Sequence, residues 1–400
     1  MKKILFVINT LGGAGAENAL IGLLNSLETE NCQLSLYVLM GQGELVNRIP
    51  GNVRLLNTRF SANSVLSKKG RRDMTAEVLR AFFRNGNFFG KAWSVWKNYL
   101  SSPKGARLQP DKILWRMMAE GGQRFEEEYD LAVAYLEGGA AYYVADYVKA
   151  RKKAAFVHID YESSGYTREM DRDCYKKMDR IFAVSDEVKK HFLKVYPQYG
   201  DKTRVFHNII DQERIRREAK KPGGPGDFFD GIRILTVGRL TYQKAYDVAV
   251  EAMALIKKAG YPVRWYVLGE GDQRPALEKR IARLGLTEDF VLVGARDNPF
   301  PWYVHTDIYV HATRFEGKSI AIQEAQTLGC AIIASDCNGN REQIIPGEDG
   351  LLCELTPEGI AGSVIDLIIH TDRRKSLGAA AKKKQIAFKQ EIQQLLELTE

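Results

Sequence analysis

The chain has 400 residues, 45% hydrophobic and 27% charged, the balance of a folded globular protein rather than a disordered or fibrous one. Its length points to two folded units. Its net charge of +8 is concentrated: between Ser61 and Arg124 thirteen Lys or Arg stand against four Asp or Glu, a local +9 that leaves the remainder near neutral. No uninterrupted apolar run approaches the roughly 18 residues that span a bilayer. The five cysteines are odd in number and form no C-x-x-C pair, which argues against a disulfide framework or zinc site and for a reducing cytoplasm.

In chain order, MKKILFVINT has the basic start of a signal peptide, but its apolar run stops at Val7-Ile8 without a small-residue cleavage site, so a buried first strand is expected. Short apolar runs then alternate with amphipathic stretches. Strands are predicted at 3–9, 34–40, 53–57, 131–136, 154–159, 180–185 and 203–208, and in a second series at 232–238, 264–269, 290–294, 307–312 and 331–335. Between the series lies KKPGGPGDFFDG (220–231), rich in Gly and Pro and without period. The predicted organisation is a first domain over 1–210, a linker over 211–230, a second domain over 231–380, and a helix over 381–400 whose Ile386, Phe388, Ile392, Leu395 and Leu396 pack back on the first domain. The fold class is α/β: two Rossmann-like doubly wound domains facing a central cleft, with ligands in the loops after the strands.

Those loops carry the candidate chemistry. NTLGGAGAEN places Gly12, Gly13 and Gly15 between a strand and a helix start that would point free amides at an anion. It is an incomplete dinucleotide fingerprint, with Asn18 at the third glycine position and no acidic end to LSLYVLM; a tight turn alone is the other reading. In TVGRLTYQKAYD, Gly238 and Arg239 follow the strand and Lys244 comes five residues later, two cations suited to a diphosphate; a solvated pair of cations is the other reading. Gly269 and Gly271 sit between a strand and a helix, Gly294-Ala295-Arg296 offers a backbone cradle for a planar base, and Gly339 to Glu342 makes a further turn.

The stretch RFEGKSIAIQE places Glu316 in a loop and Glu324 inside the helix that begins near Lys318-Ser319. The amides of Lys318, Ser319 and Ile320 suit a phosphate. Two carboxylates beside an anion make sense as acceptors for sugar hydroxyls.

G-G-x-G-x-E near the start, V-G-R-L-x(4)-K, and E-G-x-S-x(4)-E together resemble the retaining nucleotide-sugar transferases of glycosyltransferase family 4, glycosyl transferases group 1, with the GT-B fold. The likeness is strongest from Ile232 to Cys353. It implies that Glu316 holds hydroxyls of the donor sugar and Glu324 the ribose. Arg239 and Lys244 would hold the diphosphate, the Gly317 to Ser319 amides the distal phosphate, and Gly13 to Gly15 the same group from the first domain. His158 would lie near the reacting carbon; a packed, hydrogen-bonded core histidine is the alternative. With Gly238, Gly269, Arg296, Lys318 and Ile320 these form the expected donor site. The chain departs from the family at Lys244-Ala245, where K-G is usual, and at Gly317-Lys318-Ser319.

The activity implied is transfer of a sugar from a UDP- or GDP-linked donor to a hydroxyl of a glycan or lipid-linked acceptor in bacterial surface polysaccharide or glycolipid synthesis. No essential metal or other cofactor is expected, because the only D-x-D, Asp171-Arg-Asp173, reads as a solvated face. An epimerase acting on the nucleotide sugar alone, or an NAD-dependent oxidoreductase, are the rival readings. Segment 61–124 mixes its cations with Phe82, Phe83, Phe88, Phe89, Trp93, Trp96 and Trp115. That suits either an anionic membrane surface, hence a peripheral place at the inner face of the cell membrane, or helices packed over the acceptor with a wet basic face. Nucleic acid is the poorer partner, since no binding motif accompanies the charge.

Overall fold

Every side chain from Ile4 to Ile8 is buried, as expected of a strand covered by helices on both faces. A computed structural model describes residues 1–13, 15–27, 32–65, 67–102, 110–162, 164–384 and 389–400. The chain divides into two units, Met1–Ile209 with Ala387–Glu400, and Ile210–Ile386.

In the first unit the strands are β1 (Lys2–Ile8), β2 (Cys32–Val38), β3 (Val53–Leu55), β4 (Tyr129–Ala134), β5 (Ala150–Val157), β6 (Arg180–Ala183) and β7 (Thr203–Val205). They pair in parallel in the order β3-β2-β1-β4-β5-β6-β7. In the second they are β8 (Ile232–Val237), β9 (Val263–Leu268), β10 (Phe290–Leu292), β11 (Ile308–His311), β12 (Ala331–Ser335) and β13 (Leu351–Cys353), parallel in the order β10-β9-β8-β11-β12-β13. Both orders reverse beside the first strand of the unit, so each unit has a switch point where ligands of doubly wound sheets bind: β1/β4 and β8/β11. All twelve predicted strands are present, with ends displaced by up to four residues. A further strand among the described residues, β13, was not predicted.

Two expectations need correction. Residues 211–230 are not a free linker. Gln212–Glu218 is a helix capped by Asp211, and Gln212 Nε2 donates to Thr327 Oγ1 at 3.2 Å. Asp227 ties the Gly/Pro stretch down through ion pairs with Arg233 and Arg264. The absence of period misled because side-chain ties, not a repeating face, fix this segment.

Asp171 is likewise not on a solvated face. It is fully enclosed and accepts hydroxyls from Tyr142, Tyr161 and Tyr196 at 2.7, 2.8 and 2.6 Å. The next two residues, Arg172 and Asp173, both adopt left-handed conformations (φ 45° and 55°), so the backbone turns sharply away after the buried acid.

In the C-terminal segment, Lys389–Leu396 is helical and belongs to the first unit. Glu391 pairs with His207 Nδ1 at 2.9 Å, and the Lys2 ammonium donates to the Thr399 carbonyl. Ile386 and Phe388 lie outside the described residues. The basic segment folds as three helices, Lys68–Phe83, Phe88–Leu100 and Pro110–Glu120.

Candidate functional site

At the switch point of the second unit, the loop after β8 carries Gly238 and Arg239 and the loop after β11 carries residues 312–319. Side chains lock the two loops together. Arg314 forms a two-pronged pair with Asp247 (3.0 and 2.7 Å), its amide donates to the Gln243 carbonyl at 2.8 Å, and Gln243 Nε2 returns a bond to the Phe315 carbonyl at 2.8 Å. Ser335 at the end of β12 fixes the base of the same loop, accepting from the Thr313 amide at 2.9 Å and donating to its carbonyl at 2.7 Å.

This clamp delivers Glu316 onto the Lys244 ammonium and the buried His311 imidazole, whose pKa burial and the Lys244 charge push down. Glu316 Oε2 pairs with the Lys244 ammonium and lies 3.2 Å from His311 Nε2. All three side chains are largely enclosed, at 14%, 17% and 1% exposure. Burial opposes the charge on Glu316, but Lys244 and His311 outweigh it and hold the carboxyl at about 2. His311 was not anticipated. It ends β11, a position that signals only once the strand order puts that end at the switch point, and its Nδ1 lies 3.2 Å from the Tyr309 hydroxyl.

Lys244, expected on the diphosphate, is thus engaged by Glu316 in this structure. It lies just before Ala245, which is fully buried at φ 46°. That left-handed conformation accounts for the glycine usual in the K-G pattern. Arg239 is exposed and forms no ion pair among the described residues, so its guanidinium is available at the sheet's carboxyl edge.

The helix Ile320–Leu328 starts at Ser319 with no side-chain cap, leaving its first amides unsatisfied by the helix itself. Gly317, Lys318 and Ser319 form the approach to that start. Glu324 lies in the second turn and accepts the Tyr303 hydroxyl at 2.9 Å, a partner the sequence did not reveal.

The glycines have a second explanation besides a ligand. Gly238 donates to the Leu268 carbonyl and Gly269 to that of Gly294, so the loops after β8, β9 and β10 interlock through their backbones. At Gly269 (φ 154°) a methyl group would stand 1.9 Å from the Gly238 carbonyl oxygen. Gly269→Ala is therefore expected to cost about 3 kcal/mol or more in urea unfolding. Arg296 is exposed beyond the Gly294 turn, hydrogen-bonded only to its neighbour's carbonyl among the described residues.

In the first unit, Asn9 after β1 bridges the switch point, donating to the Glu137 carbonyl at 3.1 Å and accepting from the Ala140 amide at 2.7 Å. Glu137 accepts the His158 amide at 3.1 Å, and burial pushes its carboxyl up. It was also missed, although it too sits between a strand and glycines. His158 packs on Tyr135 and Phe156, and its Nε2 is buried without a partner among the described residues. Gly13 and Gly15 flank the start of the helix Gly15–Ser26, but the Gly13 amide already donates to Glu44 Oε1 at 3.2 Å. An anion there would have to displace that carboxylate.

Burial lowers His158 to about 4. The unfolded chain therefore takes up this proton first, and its contribution, full above about pH 6.5, is lost as pH falls toward 4. Urea titrations should show wild type losing on the order of 2 kcal/mol more than His158→Leu over that window.

Among the described residues, one group of three His, Cys, Asp or Glu lies within metal-binding reach of one another, Asp160, Glu162 and His191, in the first unit. His191 already lies 2.7 Å from both Asp160 and Glu187.

Residues 231–370 match the family described as glycosyl transferases group 1. A Campylobacter jejuni N-acetylgalactosamine-N,N'-diacetylbacillosaminyl-diphospho-undecaprenol 4-alpha-N-acetylgalactosaminyltransferase is 29% identical over 216 residues, 54% of this chain and 57% of that protein. The Rhizobium meliloti lipopolysaccharide core biosynthesis mannosyltransferase LpsB is 26% identical, over 52% of this chain and 59% of that protein. The chain spans about half the length of the curated relatives it matches. Among solved structures, Anabaena HepE in complex with UDP-glucose aligns at TM-score 0.68 and 17% identity over 99% of both chains. S. aureus TarM aligns at 0.68 and 12% over all of both. The chain has the GT-B fold, and its residues 231–370 carry the pattern of the glycosyl transferases group 1 family.

Proposed function

We propose that the protein is a retaining glycosyltransferase that moves a sugar from a nucleoside-diphosphate sugar, UDP- or GDP-linked, to a hydroxyl of a glycan or lipid-linked acceptor. The observation that carries this reading is the Glu316–Lys244–His311 cluster at the β8/β11 switch point, with an uncapped helix start and exposed Arg239 on the same sheet edge. The relatives named for transfer in lipopolysaccharide core synthesis and to a diphospho-undecaprenol-linked sugar support this acceptor class.

In this reading the transition state is oxocarbenium-like, and negative charge builds on the departing diphosphate. Arg239 and the amides from Lys318 to Ile320 stabilise that charge from positions fixed before reaction. Glu316, ionised throughout the physiological range, accepts hydroxyls of the donor sugar. Its negative charge holds Lys244 in place until a diphosphate arrives to share the ammonium. Glu324, oriented by Tyr303, accepts the ribose hydroxyls. The residues named need no metal to neutralise the leaving group.

The test is nucleoside-diphosphate release from a panel of nucleotide sugars, with and without glycan and lipid-linked acceptors. Release that rises only when an acceptor is present supports transfer. Conversion of the nucleotide sugar without acceptor would make the enzyme an epimerase instead.

A further inference from the structure

The helix Phe88–Leu100 is amphipathic the wrong way round for a soluble surface. Its inward face is polar: Lys91 and Asn98 are 0% exposed and Ser94 only 4%. The Lys91 ammonium donates to the carbonyls of Ala81, Phe82 and Arg84, closing the end of the preceding helix. Asn98 Nδ2 donates to the Ile113 carbonyl at 3.1 Å, and Arg172 donates to Ser94 at 2.9 Å. Its outward face is apolar at helical spacing: Phe89, Trp93, Trp96 and Leu100 are 92, 61, 50 and 58% exposed. The polar ties fix which face points out, so rotating the helix would strip buried donors of their acceptors.

The surroundings are cationic. Residues 67–102 hold eight Lys or Arg against two acids, a net +6, and Lys68, Lys69, Arg71, Arg72 and Lys97 are exposed. In the same unit a cavity of about 560 Å³ opens, lined by Leu79 and Phe83 together with Arg59, Arg80 and Arg84, and Phe83 in its wall packs on Phe88 at the start of the helix, ring centroids 5.7 Å apart. Glu77, in the same wall, pairs with Arg80 and Arg84. Apolar and guanidinium walls in one recess suit a phosphate head group with its acyl chains alongside.

We infer that this face is a membrane-docking surface for anionic phospholipid. The helix lies flat in the interface with its aromatic side among head groups and upper acyl chains, and its basic flank meets the negative lipid charge. Thirteen residues span only about 20 Å, and no helix among the described residues is long and apolar enough to cross a bilayer. A second copy of the chain is the poorer occupant, because a two-fold contact would set +6 against +6. The inference stands on the first unit alone, whatever reaction the protein performs.

The experiment is co-sedimentation of the full chain with phosphatidylcholine vesicles, with and without phosphatidylglycerol, at low and high salt. It compares wild type with the triple variant Phe89→Ser, Trp93→Ser, Trp96→Ser. These side chains are exposed, and an unchanged thermal midpoint verifies the variant's fold. Wild type should bind the anionic vesicles with tryptophan emission shifted to the blue, at least about tenfold more weakly in high salt, and the triple variant should lose binding. No binding to anionic vesicles, undiminished binding by the variant, or an oligomer that forms with rising concentration and that the variant abolishes would each overturn it.

Discussion

Glu316→Gln should lower kcat/KM for sugar transfer about 100-fold, equivalent to about 2.7 kcal/mol of transition-state stabilisation. The amide keeps the size of the side chain but removes its charge, and two partners depend on that charge. Lys244 loses its counter-ion in an enclosed site, and His311 loses the acceptor facing its Nε2. The donor sugar also loses the stronger, charge-assisted acceptor for its hydroxyls. Because Lys244 and His311 hold the Glu316 carboxyl at about 2 against the penalty of burial, the wild-type rate should show no limb from this group above about pH 4. The same depression gives stability that is full above the ordinary glutamate value and lost as pH falls toward 2, so the variant should show a flatter acid limb in unfolding. A variant with wild-type kcat/KM would remove Glu316 from the account.

Arg239→Ala should lower kcat/KM by about 100- to 1000-fold with little change in stability, since the side chain is exposed and forms no ion pair among the described residues. The loss should fall chiefly on kcat, because the charge that Arg239 meets grows as the diphosphate departs. Stopped assays over a range of donor concentrations separate kcat from KM. An equal kcat with a raised KM would instead make Arg239 a ground-state anchor.

Much of the second unit was legible because its signals are local. Glu316 and Glu324 lie eight residues apart across one loop and one helix start, and Gly238-Arg239 follows its strand directly, so no tertiary knowledge was needed to nominate them as candidates. His311, Tyr303 and Glu137 were not legible, because each acquires meaning from a partner on another element. Tyr303 meets Glu324 across 21 residues of sequence, and His311 meets a glutamate only through a clamp built by Arg314, Gln243 and Ser335. Asp171 failed for a related reason: a charged residue amid charges reads as exposed, and the three tyrosines that enclose it come from separate segments. The basic helices gave their composition but not their orientation. Periodicity reveals a stripe of Phe89, Trp93, Trp96 and Leu100, yet only the bonds of Lys91 and Asn98 fix that stripe outward.

The central claim is that the β8/β11 switch point holds a nucleoside diphosphate through Arg239 and the start of the helix Ile320–Leu328. Calorimetric titration of UDP and GDP into wild type, Arg239→Ala and Glu324→Ala tests it most directly. The expected result is binding of at least one of the two nucleotides, weakened about tenfold or more by each substitution, as loss of a charged hydrogen bond implies. Binding of equal strength to all three proteins, or to none, would contradict it.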